Sequence, residues 1–342
     1  MAIRVGVVGA GSMGANHLRV LRDLGDDVAH LQAVAEPDDS VRELALRRFG
    51  VQGFADYREM IGDKKPDLVV VAAPTHLHHE IASCALEQGA HVLVEKPIAS
   101  TLEEAAELVA LARKHRLWLA VGHVERFNPA IQALKLLLER DSLGRLYYLH
   151  ARRLGPFPPR IRDVGVILDL ATHDLDVMRY LTRSEALHVY AEAQQRIHQT
   201  REDLLLGLVR FDNGAIGMLD INWLTPTKVR ELSVTGERGM YHVNYLTQDL
   251  YFYENDYTSV TWDALRSLSG VSEGTMTRLK VQKAEPLRLE YEDVLAALRD
   301  DRAPTVTGED GLAALRLAHQ LIEASQASRV VRAPDAAGGV SR

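Results

Sequence analysis

Ile3-Arg-Val-Gly-Val-Val-Gly-Ala-Gly-Ser-Met-Gly14 is the stretch on which the fold turns. Residues 3–8 form an apolar run that reads as a buried strand, a G-x-G-x-x-G pattern follows at once, and residues 13–24 read as an amphipathic helix. The glycine pattern is weak alone and specific in this strand-to-helix context. Gly9 permits the tight turn, Gly11 lets the backbone approach a pyrophosphate, and Gly14 allows close helix-to-strand packing. Ser12 and Met13 then open the helix whose N-terminus receives the anion. The stretch predicts a dinucleotide site.

Outward from it, residues 31–35, 68–73, 91–94 and 118–121 repeat the short apolar run, and residues 40–49, 77–88 and 102–115 read as the intervening helices. Strands apolar throughout and separated by helices are buried on both faces, which predicts a doubly wound parallel Rossmann sheet over residues 1–122. Glu36 ends the second strand about 20 residues past the glycines, where a carboxylate accepts hydrogen bonds from the adenosine ribose. It would repel a 2′-phosphate by up to ~4 kcal/mol at 4 Å, so NAD is expected over NADP. Asp38 is an alternative for that role, and Arg42 would soften the preference.

From Asn128 the pattern changes. Asn128 reads as N-cap and Pro129 as the first residue of a helix to about residue 140. Alternating segments follow at 146–153, 187–193, 204–211, 215–223, 229–234 and 240–245, with turns at 212–214 and 236–239. They predict an α+β domain, residues 123–332, on an open, mostly antiparallel sheet covered on one face by helices near 168–181, 291–298 and 310–328. Residues 333–342 are an Ala-, Gly- and Pro-rich tail expected to be flexible. Met218 and Trp223 have opposite parity around Asp220, so one face of the sheet stays apolar and bare. A homodimer or homotetramer is expected to cover it.

The 342 residues are long enough for two domains, with 46% hydrophobic and 25% charged residues. Mean hydropathy is -0.12 and no apolar run approaches the roughly 18 residues of a membrane span. Net charge -7 gives no overall attraction to nucleic acid or anionic lipid. A single cysteine, Cys84, and the lack of a signal-peptide pattern after Met1 point to the cytoplasm.

Several motifs carry chemistry. Glu95-Lys96-Pro97 ends the fourth strand, the edge where doubly wound sheets bind ligands, and an ammonium there can stabilise a developing alkoxide. Asp169, His173 and Asp176 stand at i, i+4 and i+7 of one helix, whose other face carries Leu168, Ala171, Leu175 and Met178. A carboxylate one turn from an imidazole is a general-base arrangement, or equally an exposed ion pair. Pro74-Thr75-His76-Leu77-His78-His79 follows a strand end where its side chains can line a cofactor cleft; no Cys or Glu-x-x-His accompanies it, so no metal is expected. Arg152, Arg153, Arg160 and Arg162 bracket Gly155-Pro156-Phe157-Pro158-Pro159 and offer carboxylate or phosphate recognition, with surface ion pairing as the alternative.

These residues together resemble the Gfo/Idh/MocA oxidoreductases, the glucose-fructose oxidoreductase and inositol dehydrogenase family, over nearly the whole chain. Gly9 to Gly14, Pro74 with His78, Glu95-Lys96-Pro97, and Asp169 with His173 fall in family order. The resemblance implies a Rossmann domain followed by an open-sheet domain, a nicotinamide cofactor, and Lys96, Asp169 and His173 as the catalytic group, with a Lys-Pro bond that is often cis. Glu36 departs from the Asp usual at its position. Within the family, residues 122–129 and 152–165 look like the UDP-N-acetylglucosamine 3-dehydrogenases, which implies oxidation at C3 of a UDP-sugar. Cofactor contacts are then expected at Gly9, Gly11, Ser12, Met13, Gly14, Glu36, Pro74, Thr75, His78, Glu95 and Lys96. Substrate contacts are expected at Lys96, Arg126, Asn128, Arg152, Arg153, Arg160, Arg162 and His173. Dehydrogenation of another sugar or polyol, or a non-catalytic NAD- and sugar-sensing role on the same fold, are the alternatives.

Overall fold

Apolar runs bounded by turns become a six-stranded, all-parallel sheet in the computed structural model, which describes residues 2–158, 164–256 and 272–332. Its strands are β1 (Ile3–Val8), β2 (Ala29–Ala35), β3 (Gln52–Phe54), β4 (Leu68–Val71), β5 (His91–Val94) and β6 (Leu119–Val121), in the order β3-β2-β1-β4-β5-β6. Helices α1 (Ser12–Leu24), α2 (Asp39–Phe49), α3 (Tyr57–Lys64), α4 (His78–Glu87) and α5 (Leu102–His115) connect them. Their starts follow local chemistry: Asp38 caps α2 through the Ser40 and Val41 N–H groups, and Thr101 with Glu104 forms a capping box on α5. The sequence reading missed β3 and α3. Gln52-Gly53-Phe54 is three residues long at the sheet edge, too short for any periodicity to register.

The chain divides into two compact units, and the division differs from the expected one. The first comprises Met1–Phe127 with Glu285–Arg316, the second Asn128–Ala284 with Leu317–Arg342. Helix α8 (Pro286–Arg299), expected on the second sheet, instead completes the first unit, since Leu287, Tyr291, Val294 and Leu295 pack in one core with Val5, Leu18 and Leu21. Each such side chain contributes roughly 1.5–3 kcal/mol on burial. An amphipathic stripe shows that a helix has a buried face without showing which sheet receives it.

The second unit is built on a nine-stranded mixed sheet. In chain order its strands are β7 (Leu146–Pro156), β8 (Ala186–Gln194), β9 (Leu204–Phe211), β10 (Ile216–Asn222), β11 (Leu224–Gly236), β12 (Gly239–Asn244), β13 (Asp249–Asp256), β14 (Ser272–Leu279) and β15 (Val331–Arg332). They lie in the order β14-β13-β12-β11-β7-β10-β9-β8-β15, antiparallel except for β7 with β10. Strands β13 and β14 went unread because β13 is half-buried along most of its length and shows no alternation. Helix α6 (Pro129–Glu139), α7 (Thr172–Thr182) and the later part of α9 (Gly308–Ala327) supply core residues to this sheet's inner face. On β9, Leu205, Val209 and Phe211 are buried whereas Leu206 and Leu208 are 51% and 45% exposed. Among the described residues no helix is long and apolar enough to cross a membrane.

Candidate active site

In the first unit, the Gly9 to Gly14 turn forms a cradle. Gly9 has φ +94°, and a Cβ there would lie 2.5 Å from the Ala72 carbonyl oxygen. At Gly14 a Cβ would fall 2.0 Å from the Gly9 carbonyl oxygen, so glycine is what lets α1 start this close to β1. Gly11 is the opposite case: no described atom lies within 4 Å of a Cβ built on it. That open space lies at the N-terminus of α1, which no side chain caps among the described residues. The cradle therefore fits a pyrophosphate, with Ser12 and Met13 in the first turn.

Glu36 lies directly after β2. Its Oε2 accepts the Ala10 N–H at 2.8 Å and its Oε1 the Asp38 N–H at 3.1 Å, so the carboxylate braces the glycine turn. Asp38 spends its Oδ1 on the α2 cap. Arg42 donates to the Glu36 carbonyl oxygen at 2.6 Å and pairs with Asp39. The alternative to Glu36, Asp38, and the arginine expected to soften the preference, Arg42, are both engaged in local structure.

Beyond β4, Pro74 and Thr75 enter a 3-10 turn, Thr75–Leu77, before α4. His78 is buried between two carbonyl groups. It is 1% exposed, and its Nδ1 and Nε2 lie 2.8 Å and 2.9 Å from the carbonyl oxygens of Pro97 and Ala73. Burial, only partly offset by those carbonyls, holds its pKa below the usual histidine value, so the neutral ring donates to one carbonyl at a time. It ties the segment after Lys96 to the end of β4.

Lys96 is half-buried at the end of β5, and the Lys96-Pro97 peptide is cis. Glu95, expected at the cofactor, has both carboxylate oxygens engaged within the protein. Its Oε1 lies 3.0 Å from His17 Nε2 and its Oε2 accepts the Lys96 N–H at 3.1 Å. Burial disfavours its charge, but the His17 hydrogen bond and the Lys96 charge outweigh that and hold its carboxyl below the usual value.

In the second unit, Asp169 lies within a π-helical turn, Ile167–Ala171, that runs into α7, and His173 occupies the first turn of α7. Such turns recur at functional sites because the extra residue re-aims the side chains. Asp169 and His173 are half-buried while Asp174, Leu175 and Asp176 are fully buried. Asp176 is therefore more deeply enclosed than Asp169 and His173, since α7 is buried along most of its length.

The turn is held by Glu202, which sequence reasoning did not single out. Its carbonyl oxygen accepts the Val166 N–H at 2.9 Å and its Oε1 the Ile167 N–H at 3.3 Å. A Cβ at Gly165 would come within 2.1 Å of that carboxylate. Asp203, fully buried, accepts the N–H groups of Arg196, Ile197 and His198. His198 stacks on Trp223 with centroids 6.3 Å apart, and Phe157 meets both edge-on. No local pattern announces the contacts of Glu202 with residues 165–167 or of Phe157 with His198 and Trp223, which join residues distant in the chain.

Of the four arginines expected to cluster, the two that are described, Arg152 and Arg153, part from one another. Strand alternation sends Arg152 and Arg153 to opposite faces of β7. Arg152 is exposed on the bare face, donating to Glu231 at 3.1 Å with Asp220 at 3.9 Å. Arg153 is buried in a two-pronged pair with Asp174, at 2.7 Å and 3.0 Å. Arg160 and Arg162 lie outside the described residues. Two other expected substrate residues serve structure: Arg126, 4% exposed, pairs with Asp310 at 2.9 Å, and Asn128 caps α6 while donating to the Tyr245 carbonyl at 3.1 Å.

Comparison with known proteins matches residues 3–123 to the oxidoreductase family with NAD-binding Rossmann fold, and residues 131–242 to the GFO/IDH/MocA C-terminal domain. A UDP-N-acetylglucosamine 3-dehydrogenase of Acidithiobacillus ferrooxidans is 28% identical over 95% of this chain and 98% of its own. Its solved structure superposes with TM-score 0.82 over 96% of this chain and 99% of that one, at 27% identity. Inositol 2-dehydrogenase 1 of Saccharopolyspora erythraea is 36% identical over 59% of each chain. The WlbA dehydrogenase of Chromobacterium violaceum, solved with NADH and UDP-GlcNAcA, is 25% identical with TM-score 0.83, covering 98% of this chain and 96% of that one.

Proposed function

We propose a substrate and a division of chemical labour for this chain, which belongs to the Gfo/Idh/MocA family of NAD-binding oxidoreductases: it oxidises the C3 hydroxyl of UDP-N-acetylglucosamine to the 3-keto sugar nucleotide. The observation that carries the substrate is coverage. Likeness to the UDP-N-acetylglucosamine 3-dehydrogenase runs through 95% of the chain, second unit included. Likeness to the inositol dehydrogenase, though higher in identity, stops at 59%. That higher identity is what favours an inositol-like polyol as the second reading.

The Gly9 to Gly14 cradle would hold the NAD pyrophosphate and Glu36 the adenosine ribose, with Pro74 and Thr75 at the adjoining strand end. Bound NAD supplies the acceptor for the hydride that leaves C3. Asp169 orients His173, which takes the hydroxyl proton, and the Lys96 ammonium stabilises the oxyanion as charge develops on oxygen. Arg160 and Arg162 are assigned to the diphosphate, which they can grip in bidentate fashion. NAD is the preferred cofactor over NADP, because the Glu36 carboxylate repels a 2′-phosphate. The bare outer face of the second-unit sheet, with Leu206, Leu208, Ile216 and Met218 each at least 36% exposed, supports assembly into a homodimer or homotetramer.

The test is NADH formation at 340 nm with UDP-N-acetylglucosamine, free N-acetylglucosamine and myo-inositol. Binding energy from the diphosphate holds C3 in place, so the free sugar should lose turnover as well as affinity. Faster turnover of inositol or free sugar than of the sugar nucleotide would overturn the substrate assignment.

A further inference from the structure

We propose that His17 and Tyr291 are positioning residues for Lys96, acting through Glu95 along a buried hydrogen-bonded line. This rests on the reading of Lys96 as the group that meets the substrate oxygen. His17 lies on α1, one turn past Gly14, and Tyr291 on α8; both are completely buried. The Tyr291 hydroxyl is 2.8 Å from His17 Nδ1, His17 Nε2 is 3.0 Å from Glu95 Oε1, and Glu95 Oε2 accepts the Lys96 backbone N–H at 3.1 Å. The line ends on the peptide that carries the lysine.

Its direction at the Glu95 end is determined by protonation. Burial, with the negative charge of Glu95 nearby, holds the Tyr291 hydroxyl well above its ordinary value, so it keeps its proton. Glu95 sits below its ordinary value and stays an acceptor. The Glu95 carboxylate, which can only accept, accepts the N–H of His17 Nε2, while Nδ1 meets the Tyr291 hydroxyl, which can donate to it or accept from it. Each polar atom along the line has a matched partner, which is the condition for burying it without a large penalty.

Two neighbours support the arrangement. A Cβ at Gly122 would lie 3.0 Å from the Glu95 carboxyl carbon, so glycine there leaves the carboxylate its place. Glu290, 1% exposed, has neither oxygen hydrogen-bonded among the described residues. Burial and the charges of Glu95 and Asp293 raise its pKa well above the usual value, so Glu95 is the charged member of the two. A leucine and a phenylalanine in place of His17 and Tyr291 would fill this space without building a line to Lys96. Displacing a reacting group by about 1 Å costs on the order of 100-fold in rate.

The experiment compares His17→Leu, His17→Gln and Tyr291→Phe. Gln keeps a donor near the place of Nε2, and Phe removes the hydroxyl alone. Two readouts are taken: hydrogen–deuterium exchange by mass spectrometry over residues 93–100, and kcat and KM with UDP-N-acetylglucosamine and myo-inositol. His17→Leu is expected to speed exchange at 93–100 while β1 and β4 keep their protection, and to lower kcat by about 10- to 100-fold with KM for NAD within about twofold. Tyr291→Phe should lower kcat by about 3- to 10-fold, and His17→Gln should recover most of the loss. On a Lys96→Met background, His17→Leu should add no further loss. Wild-type kcat in His17→Leu, exchange rising equally in β1 and β4, or no recovery in His17→Gln would overturn the proposal. Full turnover in Lys96→Met would instead remove the reading of Lys96, and the exchange data would still judge the line through Glu95.

Discussion

Glu36→Ala separates two jobs of one carboxylate. Its Oε2 and Oε1 accept the Ala10 and Asp38 N–H groups at 2.8 Å and 3.1 Å, so it braces the glycine turn in addition to the role at the ribose proposed for it. A hydrogen bond to a charged group is worth about 1.5–3 kcal/mol; this site is only half-buried and water replaces part of the loss, so about 1–2 kcal/mol of NAD affinity should go with the brace and the ribose contact together. That is about 5- to 30-fold in Kd at 1.4 kcal/mol per decade. Repulsion of a 2′-phosphate, up to ~4 kcal/mol at 4 Å and an effective dielectric of 20, disappears in the same variant. NADP affinity should therefore rise, or fall much less than that of NAD. Fluorescence titration with NADH and NADPH reads both constants. Glu36→Gln is the control: it keeps one oxygen acceptor for the turn and removes the charge, so its loss of NAD affinity should be smaller and its gain in NADP tolerance similar. An unchanged NAD-to-NADP ratio in both variants would refute the assignment of selectivity to Glu36.

Lys96→Met, Asp169→Asn and His173→Asn should each lower kcat by about 100-fold or more while leaving the NADH titration near wild type; ordinary turnover in any two of them would sink the catalytic group. Glu290 is raised in the folded protein, so its contribution to stability is full below the ordinary carboxyl value and declines by about 1.4 kcal/mol per pH unit as pH climbs toward the folded value. Glu290→Gln lacks that slope, and its Tm advantage over wild type should widen by about 3–6 °C per pH unit above pH 5; parallel Tm curves would contradict a buried neutral acid. Arg153→Met leaves Asp174 buried without its two-pronged partner and should cost about 3–5 kcal/mol in urea unfolding, a loss of fold rather than of substrate affinity; a stable variant with a raised KM would restore Arg153 to the substrate site. Leu206→Glu with Leu208→Glu should shift sedimentation of the protein toward the monomer, and a wild-type monomer at micromolar concentration would remove the assembly altogether.

By itself the sequence determined the features whose causes are local. Gly9 stands at positive φ because its own backbone requires it, and β1, β2, β4 and β5 are parallel because uninterrupted runs such as Leu68–Val71 are buried on both faces. Asn128 with Pro129 starts α6 for the same kind of reason, since the cap bonds lie within two residues. The tertiary structure decided everything that depends on which surface an element meets. Helix α8 has an apolar stripe suited to either sheet, and only packing sends Tyr291 to His17 in the first unit. Arg152 and Arg153 are adjacent in sequence and alike in chemistry, yet the pleat of β7 gives one to Glu231 and the other to Asp174. Glu95 lies beside Lys96 in a motif that reads as one ligand-facing unit; the fold turns its carboxylate inward because a histidine 78 residues earlier supplies the partner that makes burial of the charge tolerable.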